Sequence, residues 1–443
     1  MRRAVVLGGS IAGLYAARVL SDHADEVVII ETDDLGEDGT GRGAPQRQQL
    51  HALLAMGHTH LEGWFPGITA ELVAGGARPG VGSEVQFYVD GTLKAPVPDL
   101  RMLGATRLFL ETRVRRRVAA LPGVRIVRGR ARDLLFGADR VRGVRYTAAD
   151  DAPDQAGPGE ELDADLVVDA MGRSSRLGTW LQHGGWDPAP LHRMRIDLGY
   201  ATALFRRGDE LPRTVVAHAS PGPASGYQPT LSEPGAMVAV EGDRWMVVLA
   251  GYTGHRPGRD PADFLARMRR CVPPLHEVAD RCALLDEVRT FHFPESRRRD
   301  FTRLRRFPGG LVAVGDSVAS VNPIYGQGLT LAALQATCLS AYLRTGARPH
   351  APALDYFRRA AVVVDAAWQL SATADLAQPH VTGPYPRGYR LTRWAVDRIT
   401  AASVLDAEVN RAFMDVAHMR RHPKSLTRPA VLARTARVLT TTR

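Results

Sequence analysis

At 443 residues, 45% hydrophobic and 23% charged, the chain is long enough for two or three domains with real cores. It has no run of 18 or more uncharged apolar residues, which excludes a helical membrane span. The formal net charge is +10, but Lys94 and Lys424 are the only lysines, and clusters such as Arg115-Arg116-Arg117 and Arg297-Arg298-Arg299 lack interleaved aromatics, which sets nucleic-acid binding aside.

The chain begins Met1-Arg2-Arg3 and runs mostly apolar to Leu20, like a leader. Arg18 interrupts that run and an acid-ended strand follows, so the segment is expected to be a folded strand of a cytoplasmic protein. Cys271, Cys282 and Cys338 have no metal or redox spacing and read as free thiols of a reducing compartment. The run Ala4-Val5-Val6-Leu7, the turn Gly8-Gly9-Ser10-Ile11-Ala12-Gly13 and the apolar segment 14–20 predict strand, tight turn and helix. Glycines there let backbone approach a pyrophosphate, and the helix start offers free N–H groups. Ser10 stands where a glycine is usual. The next strand, Val27-Val28-Ile29-Ile30, ends in Glu31, placed to accept hydrogen bonds from a ribose. The Gly8–Ser10 spacing is not a nucleophile elbow, because Ala12 stands where that turn needs glycine.

A glycine-rich loop covers residues 36–43, and leucines at 50, 53, 54 and 61 predict a helix over 50–61. His51, His58 and His60 beside Glu62 match no metal spacing, so no metal is expected. An arginine-rich amphipathic helix is predicted over 106–120, and strands over 123–127, 141–146 and 162–170, with an acidic loop tip at 149–160. From 193 to 254 the pattern is β, with a hairpin around Glu241-Gly242-Asp243. A short helix at 261–268, a strand at 311–314 and a nearly all-apolar helix at 328–343 follow, and the rest reads mainly helical, broken at 379–388. The resulting expectation is an α/β fold. A Rossmann-like domain (1–80, 101–190 and 291–345) is split by a β-rich substrate domain (81–100 and 191–290), and a C-terminal helical region (346–443) follows.

A second motif carries the chemistry. Gly315-Asp316 follows a buried strand directly, and Asn322-Pro323-Ile324-Tyr325-Gly326-Gln327-Gly328 leads into the apolar helix, beginning with Leu329. A carboxylate at 316 can accept charge-assisted hydrogen bonds from ribityl hydroxyls. Backbone from Pro323 to Gly328 can reach a flavin edge, and the helix start then favours negative charge on the ring. Val167-Val168-Asp169-Ala170-Met171-Gly172-Arg173-Ser174-Ser175 is a third turn, placing Asp169 near a pyrophosphate. Two glycine motifs so far apart fit FAD better than a mononucleotide or NAD.

On these residues, together with Gly43-Ala44-Pro45-Gln46, His51-Ala52-Leu53-Leu54, Phe65-Pro66-Gly67 and Phe307-Pro308-Gly309-Gly310-Leu311, the chain resembles the FAD-dependent aromatic hydroxylase superfamily. Within it, the chain is most similar to actinobacterial polyether epoxidase-like flavoproteins related to squalene epoxidases. The resemblance runs from about residue 1 to 345. It implies FAD and insertion of one oxygen atom from O2 through a flavin hydroperoxide in bacterial secondary metabolism, with NADPH or NADH as electron source, directly or through a flavin reductase. By motif it also implies roles for Glu31 at the ribose, Asp316 at the ribityl chain, and Arg42 and Arg107 at the flavin arm or pyrophosphate. Such chemistry needs a dry pocket more than a triad, and no triad is evident. Trp245, Tyr252 and Tyr325 are candidate pocket residues. Epoxidation of an apolar alkene is expected over phenol-type hydroxylation, because the β-rich segment holds no paired acids or histidines to deprotonate a phenol. Halogenation is the further alternative and would need a lysine, for which only Lys94 and Lys424 exist.

Overall fold

The computed structural model describes residues 1–34, 45–149, 159–220 and 233–441. The stretch 36–43 with Arg42, the residues Gly43-Ala44 and most of the acidic stretch 149–160 lie outside them.

Arg3–Leu7, Glu26–Glu31, Leu166–Asp169, Leu311–Ala313 and the first part of Val124–Phe136 form a parallel sheet, continued antiparallel by Val141–Ala148 and Glu160–Asp163. The parallel strands are short apolar runs buried on both sides, as a sheet covered by helices requires. The helices Ile11–Leu20 and Gly328–Leu343 pack on each other in the main core. All these strands point the same way, so the turns after Leu7, Glu31, Asp169 and Ala313 gather at one end of the sheet. That end is where open α/β sheets bind ligands.

The second sheet has eight strands, in the order Ala319–Ser320, Arg289–Arg299, Leu191–Arg206, Arg244–Tyr252, Gly235–Val240, Val216–Ser220, Val85–Val89, Thr92–Leu93. It therefore runs past residue 290, where the sequence boundary was drawn. The arginine-rich end of Arg289–Arg299 pairs with Leu191–Arg206. Side chains alternate between its faces. Ala201, Ala203 and Phe205 join Trp245, Val247 and Leu249 in a core covered by the helices Pro261–Arg269 and Pro273–Arg281. Met194, Ile196, Leu198, Tyr200, Ala250 and Tyr252 face the other way, towards Ile324, Trp368 and Leu376. The fold is thus an α/β Rossmann-like domain split by a β-rich domain, with C-terminal helices Leu354–Asp375, Tyr389–Leu405, Ala407–Ala417 and Pro429–Thr441.

Three local expectations are corrected. The helix expected over 50–61 is Ala55–Trp64. Residues 50–54 instead form a strap, whose end is pinned by Thr330 Oγ1 accepting the Leu54 N–H at 3.2 Å and His418 Nδ1 accepting the Ala55 N–H at 3.3 Å. The strand expected over 162–170 is two strands, Glu160–Asp163 and Leu166–Asp169. The chain crosses from the sheet edge to its centre between them, and Asp165 Oδ2 accepts the N–H groups of Arg2 and Arg3 at 2.6 and 3.1 Å. The strand expected over 123–127 runs on to Phe136, because Arg128, Arg130 and Arg132 at every second position continue the strand period.

Candidate functional site

The glycine turn is built around contacts that exclude side chains. Gly8 has φ +100°, and a Cβ there would meet the Ala170 carbonyl oxygen at 2.7 Å. A Cβ on Gly13 would lie 1.9 Å from the Gly8 oxygen. Ser10 needs no such freedom. Its φ is −84°, and its Oγ donates to Glu111 Oε2 at 3.1 Å while accepting from Arg107 Nη2 at 3.1 Å. The serine departure therefore ties the helix start to the arginine-rich helix Arg107–Ala119. No side chain caps the Ile11–Leu20 helix, which leaves the first-turn N–H groups of Ile11, Ala12 and Gly13 for a ligand. Glu31 is buried beside this turn, its Oε2 accepting the Gly9 N–H at 2.6 Å and its Oε1 the Asp33 N–H at 2.9 Å.

Arg107 sits at the centre of a buried charge network. Its Nε pairs with Glu111 at 3.3 Å and its Nη1 donates to His51 Nε2 at 2.8 Å. His51 Nδ1 in turn donates to the Gln49 carbonyl at 2.9 Å, the tautomer this pairing requires. Burial first, then the Arg107 charge, hold the His51 imidazole neutral, with its pKa lowered to about 3. Arg47, which the motifs did not single out, bridges Glu111 at 3.1 Å and Asp33 at 2.6 Å. Glu111 is the lone acid of its helix, four residues from both Arg107 and Arg115, and that spacing was the signal available in sequence.

The second motif closes on the first. Gly315 has φ +64°, and a Cβ there would come within 2.5 Å of Ala12 Cβ, so the Asp316 turn abuts the first helix turn. Burial raises the Asp316 pKa, opposed by a Ser320 hydrogen bond and by the charges of Arg173 and Arg107. Asp169 is placed differently from the expectation. Its carboxylate is fully buried and occupied, Oδ1 by the Met171 N–H (3.0 Å) and Ser317 Oγ (3.1 Å), Oδ2 by Ser175 Oγ (2.5 Å). It staples two turns together.

In the loop before the Gly328–Leu343 helix, Pro323 is half-buried and Leu329 buried, while Gly326 has φ +65° and lies against Ala52 of the strap. Gly328 is exposed, and a Cβ there would meet no atom within 4 Å. The helix has no side-chain cap, and the buried Gln327 Oε1 has no hydrogen-bond partner. An open glycine, uncapped N–H groups and an orphaned acceptor form a cradle for a flat polar ring edge.

Sequence reading missed the acid of the site. Asp375, at the end of its helix and 0% exposed, reaches this loop. Its Oδ1 accepts from Asn322 Nδ2 at 2.7 Å and from the hydroxyls of Tyr252 and Tyr325 at 3.4 Å each. Asn322 Nδ2 also donates to the Tyr252 oxygen at 3.0 Å. Asp375 Oδ2 has no partner. Burial raises the Asp375 pKa to about 7, against the lowering effect of these three hydrogen bonds. Tyr252 and Tyr325 are thus brought together. Trp245 is not with them. It lies seven residues before Tyr252 on the same strand, hence on the opposite face, fully buried with its Nε1–H given to Glu210. Lys94 is buried with Nζ 4.0 Å from the centre of the Phe413 ring and 3.9 Å from Met414 Sδ, and burial lowers its pKa to about 7. Among the described residues, no group of three or more His, Cys, Asp or Glu could hold a metal.

No family profile matches the chain. It is 33% identical over 426 residues to Protein Rv3254 of Mycobacterium tuberculosis, covering 93% of this chain and 88% of that protein. Among solved structures it shares its fold with the flavin-dependent brominase Bmp2, at TM-score 0.68 and 13% identity over 99% of both chains. It shares it also with p-nitrophenol 4-monooxygenase PnpA of Pseudomonas putida, at TM-score 0.64 and 18% identity over 95% of this chain and 100% of that one. A third is 2-methyl-3-hydroxypyridine-5-carboxylic acid oxygenase, at TM-score 0.60 and 19% identity over 87% of this chain and 94% of that one.

Proposed function

We propose, from the premise that the chain belongs to the same family as Protein Rv3254, that it is an FAD-dependent monooxygenase acting on an apolar small molecule. The observation that carries this is the meeting of two turns at Gly315 and Ala12, which joins a pyrophosphate cradle to a ring cradle at Gly328. A fold shared with a brominase, a monooxygenase and an oxygenase supports it. In this reading the first-turn N–H groups at 11–13 and Arg107 hold the pyrophosphate, Glu31 the ribose, Asp316 the ribityl hydroxyls, and the Pro323–Leu329 backbone the ring. FAD belongs to the first sheet and the turns at its strand ends, and the substrate to the site-facing side of the second sheet, which takes in Arg289–Arg299. Bound FAD, reduced by NADPH or NADH directly or through a flavin reductase, supplies the activation of O2 for transfer of one oxygen atom. The chain's own part is to exclude water and to place the substrate carbon against the ring.

The substrate preference turns on Asp375. The alkene expectation rested on the lack of a base in the β-rich segment, and here a base arrives from the C-terminal helices. A carboxyl with a pKa near 7 and one unpartnered oxygen, in contact with two tyrosines, favours a ring bearing an acidic hydroxyl over an alkene. A proton leaving the substrate hydroxyl passes to the Tyr325 oxygen as the Tyr325 proton passes to Asp375. Loading the protein with FAD, supplying electrons and offering separate phenol and alkene panels tests this. Oxygen incorporated into phenols supports it, and epoxides formed while phenols return intact restore the alkene reading. Lys94 packs over Phe413 and Met414, with the buried histidines His218 and His418 near its charge, and away from the Asp375 cluster.

The ribityl assignment gives a binding prediction. Asp316→Ala removes a charge-assisted hydrogen bond of about 1.5–3 kcal/mol, weakening FAD roughly tenfold to a hundredfold without unfolding the chain. A fluorescence titration giving Asp316→Ala the wild-type affinity would refute the placement.

A further inference from the structure

The C-terminal helices carry an exposed apolar stripe that the oxygenase site does not use. On the helix Tyr389–Leu405, Leu391 is 69% exposed, Trp394 60% and Leu405 53%, and Tyr385 just before it is 54% exposed. At about 100° per residue, Leu391, Trp394, Arg398 and Leu405 fall within about 60° of one another, along a line about 21 Å long. Ile399 and Ser403 on the other side of the helix are buried, as is the small Ala402 at the edge of the stripe between Arg398 and Leu405. Large apolar side chains exposed side by side on a soluble surface mark a contact site.

The charge around the stripe identifies the occupant. Arg387, Arg390 and Arg398 are exposed, and none forms a salt bridge among the described residues. The one acid of the helix, Asp397, is held by Arg393 at 3.0 Å. Residues 379–443 hold 12 Lys and Arg against 4 Asp and Glu, so +8 of the chain's net +10 resides there. A nucleic acid would use the arginines but not the leucines and the tryptophan. Tryptophan and leucine amid arginine on one face of a helix is the pattern of an interfacial helix. None of the described helices is long and apolar enough to cross a bilayer, so the contact is with its surface.

We propose that the exposed face of the Tyr389–Leu405 helix docks on an anionic phospholipid surface, with Leu391, Trp394 and Leu405 entering the headgroup boundary and Arg387, Arg390 and Arg398 meeting phosphates. The contact is independent of the oxygenase reading.

The test is co-sedimentation of the full chain with vesicles of equal parts phosphatidylcholine and phosphatidylglycerol, and with phosphatidylcholine alone. The protein should partition onto the anionic vesicles, less so as salt rises. The double variant Leu391→Ser/Trp394→Ser should lower the partition at least tenfold, with its melting temperature and FAD content unchanged because both side chains lie outside the core. Three results each overturn the proposal: no binding to anionic vesicles, undiminished binding by the double variant, or a solution dimer that the same double variant dissociates. The last would assign the stripe to a second copy of the chain.

Discussion

Gly13→Ala should abolish FAD binding. The added Cβ would sit 1.9 Å from the Gly8 carbonyl oxygen, a backbone atom with no rotamer to escape into. Gly8 has little room to yield, because its φ is +100° and the Ala170 carbonyl oxygen lies where even a Cβ on Gly8 would meet it at 2.7 Å, with the neighbouring strand end close behind the turn. The helix start must therefore shift, and its N–H groups lose their aim. Overpacking of this kind costs about 1–3 kcal/mol in stability, so the melting temperature falls as well. FAD affinity should drop more than about a hundredfold. Gly328→Val separates cofactor exclusion from unfolding. No atom of the chain lies within 4 Å of a Cβ there, so this variant should melt like wild type yet bind FAD poorly. Wild-type FAD affinity in both variants, by fluorescence titration, would remove the two cradles from the account.

Asp375→Asn should cost the enzyme its reaction with phenols while leaving FAD bound. Asparagine keeps the shape and the hydrogen bonds to Asn322 and the tyrosines within reach, but cannot take a proton. In the wild type, turnover of phenols should rise with pH through about 7, as the Asp375 carboxyl ionises. The variant's profile should be low and flat there. Tyr325→Phe should behave in the same way, since it removes the relay but not the acid. The groups facing Asp375 are Tyr252 and Tyr325, with Asn322 between, His380 tilted against Tyr252, and Tyr389 and Arg393 from the next helix. Burial raises the Asp375 pKa to about 7. Stability gives a second readout. A raised carboxyl contributes stability that is complete below the ordinary Asp value of about 4 and is lost as pH rises through about 7. Wild type should therefore lose stability over that window relative to Asp375→Asn. Equal melting curves and equal phenol turnover across it would show Asp375 to be structural packing.

Legibility in the sequence followed the range of the interactions. The turn at Gly8–Gly13, the acid at Glu31, the hairpin at Glu241–Asp243 and the helix at 328–343 are local patterns. Apolar runs and glycine spacing announce them without reference to anything distant. Ser10 looked like a weak point and is a tie to Glu111 and Arg107, 101 and 97 residues away. Asp375 bonds Asn322 across 53 residues and Tyr252 across 123. Nothing near Asp375 in the chain hints at either. The signal that was present is an acid set among Ser371, Ala372 and Leu376 on the buried face of its helix, where charge is expensive without a purpose. Trp245 shows the reverse error. An aromatic in the substrate sheet looked like a pocket residue, and only the strand's alternation, counted from Tyr252, puts it on the far face.

The central claim is that the chain holds FAD, and the spectrum of the purified protein tests it most directly. The protein should be yellow, and on denaturation should release FAD carrying no covalent bond to the chain. A colourless protein that also takes up no FAD from solution would contradict the account.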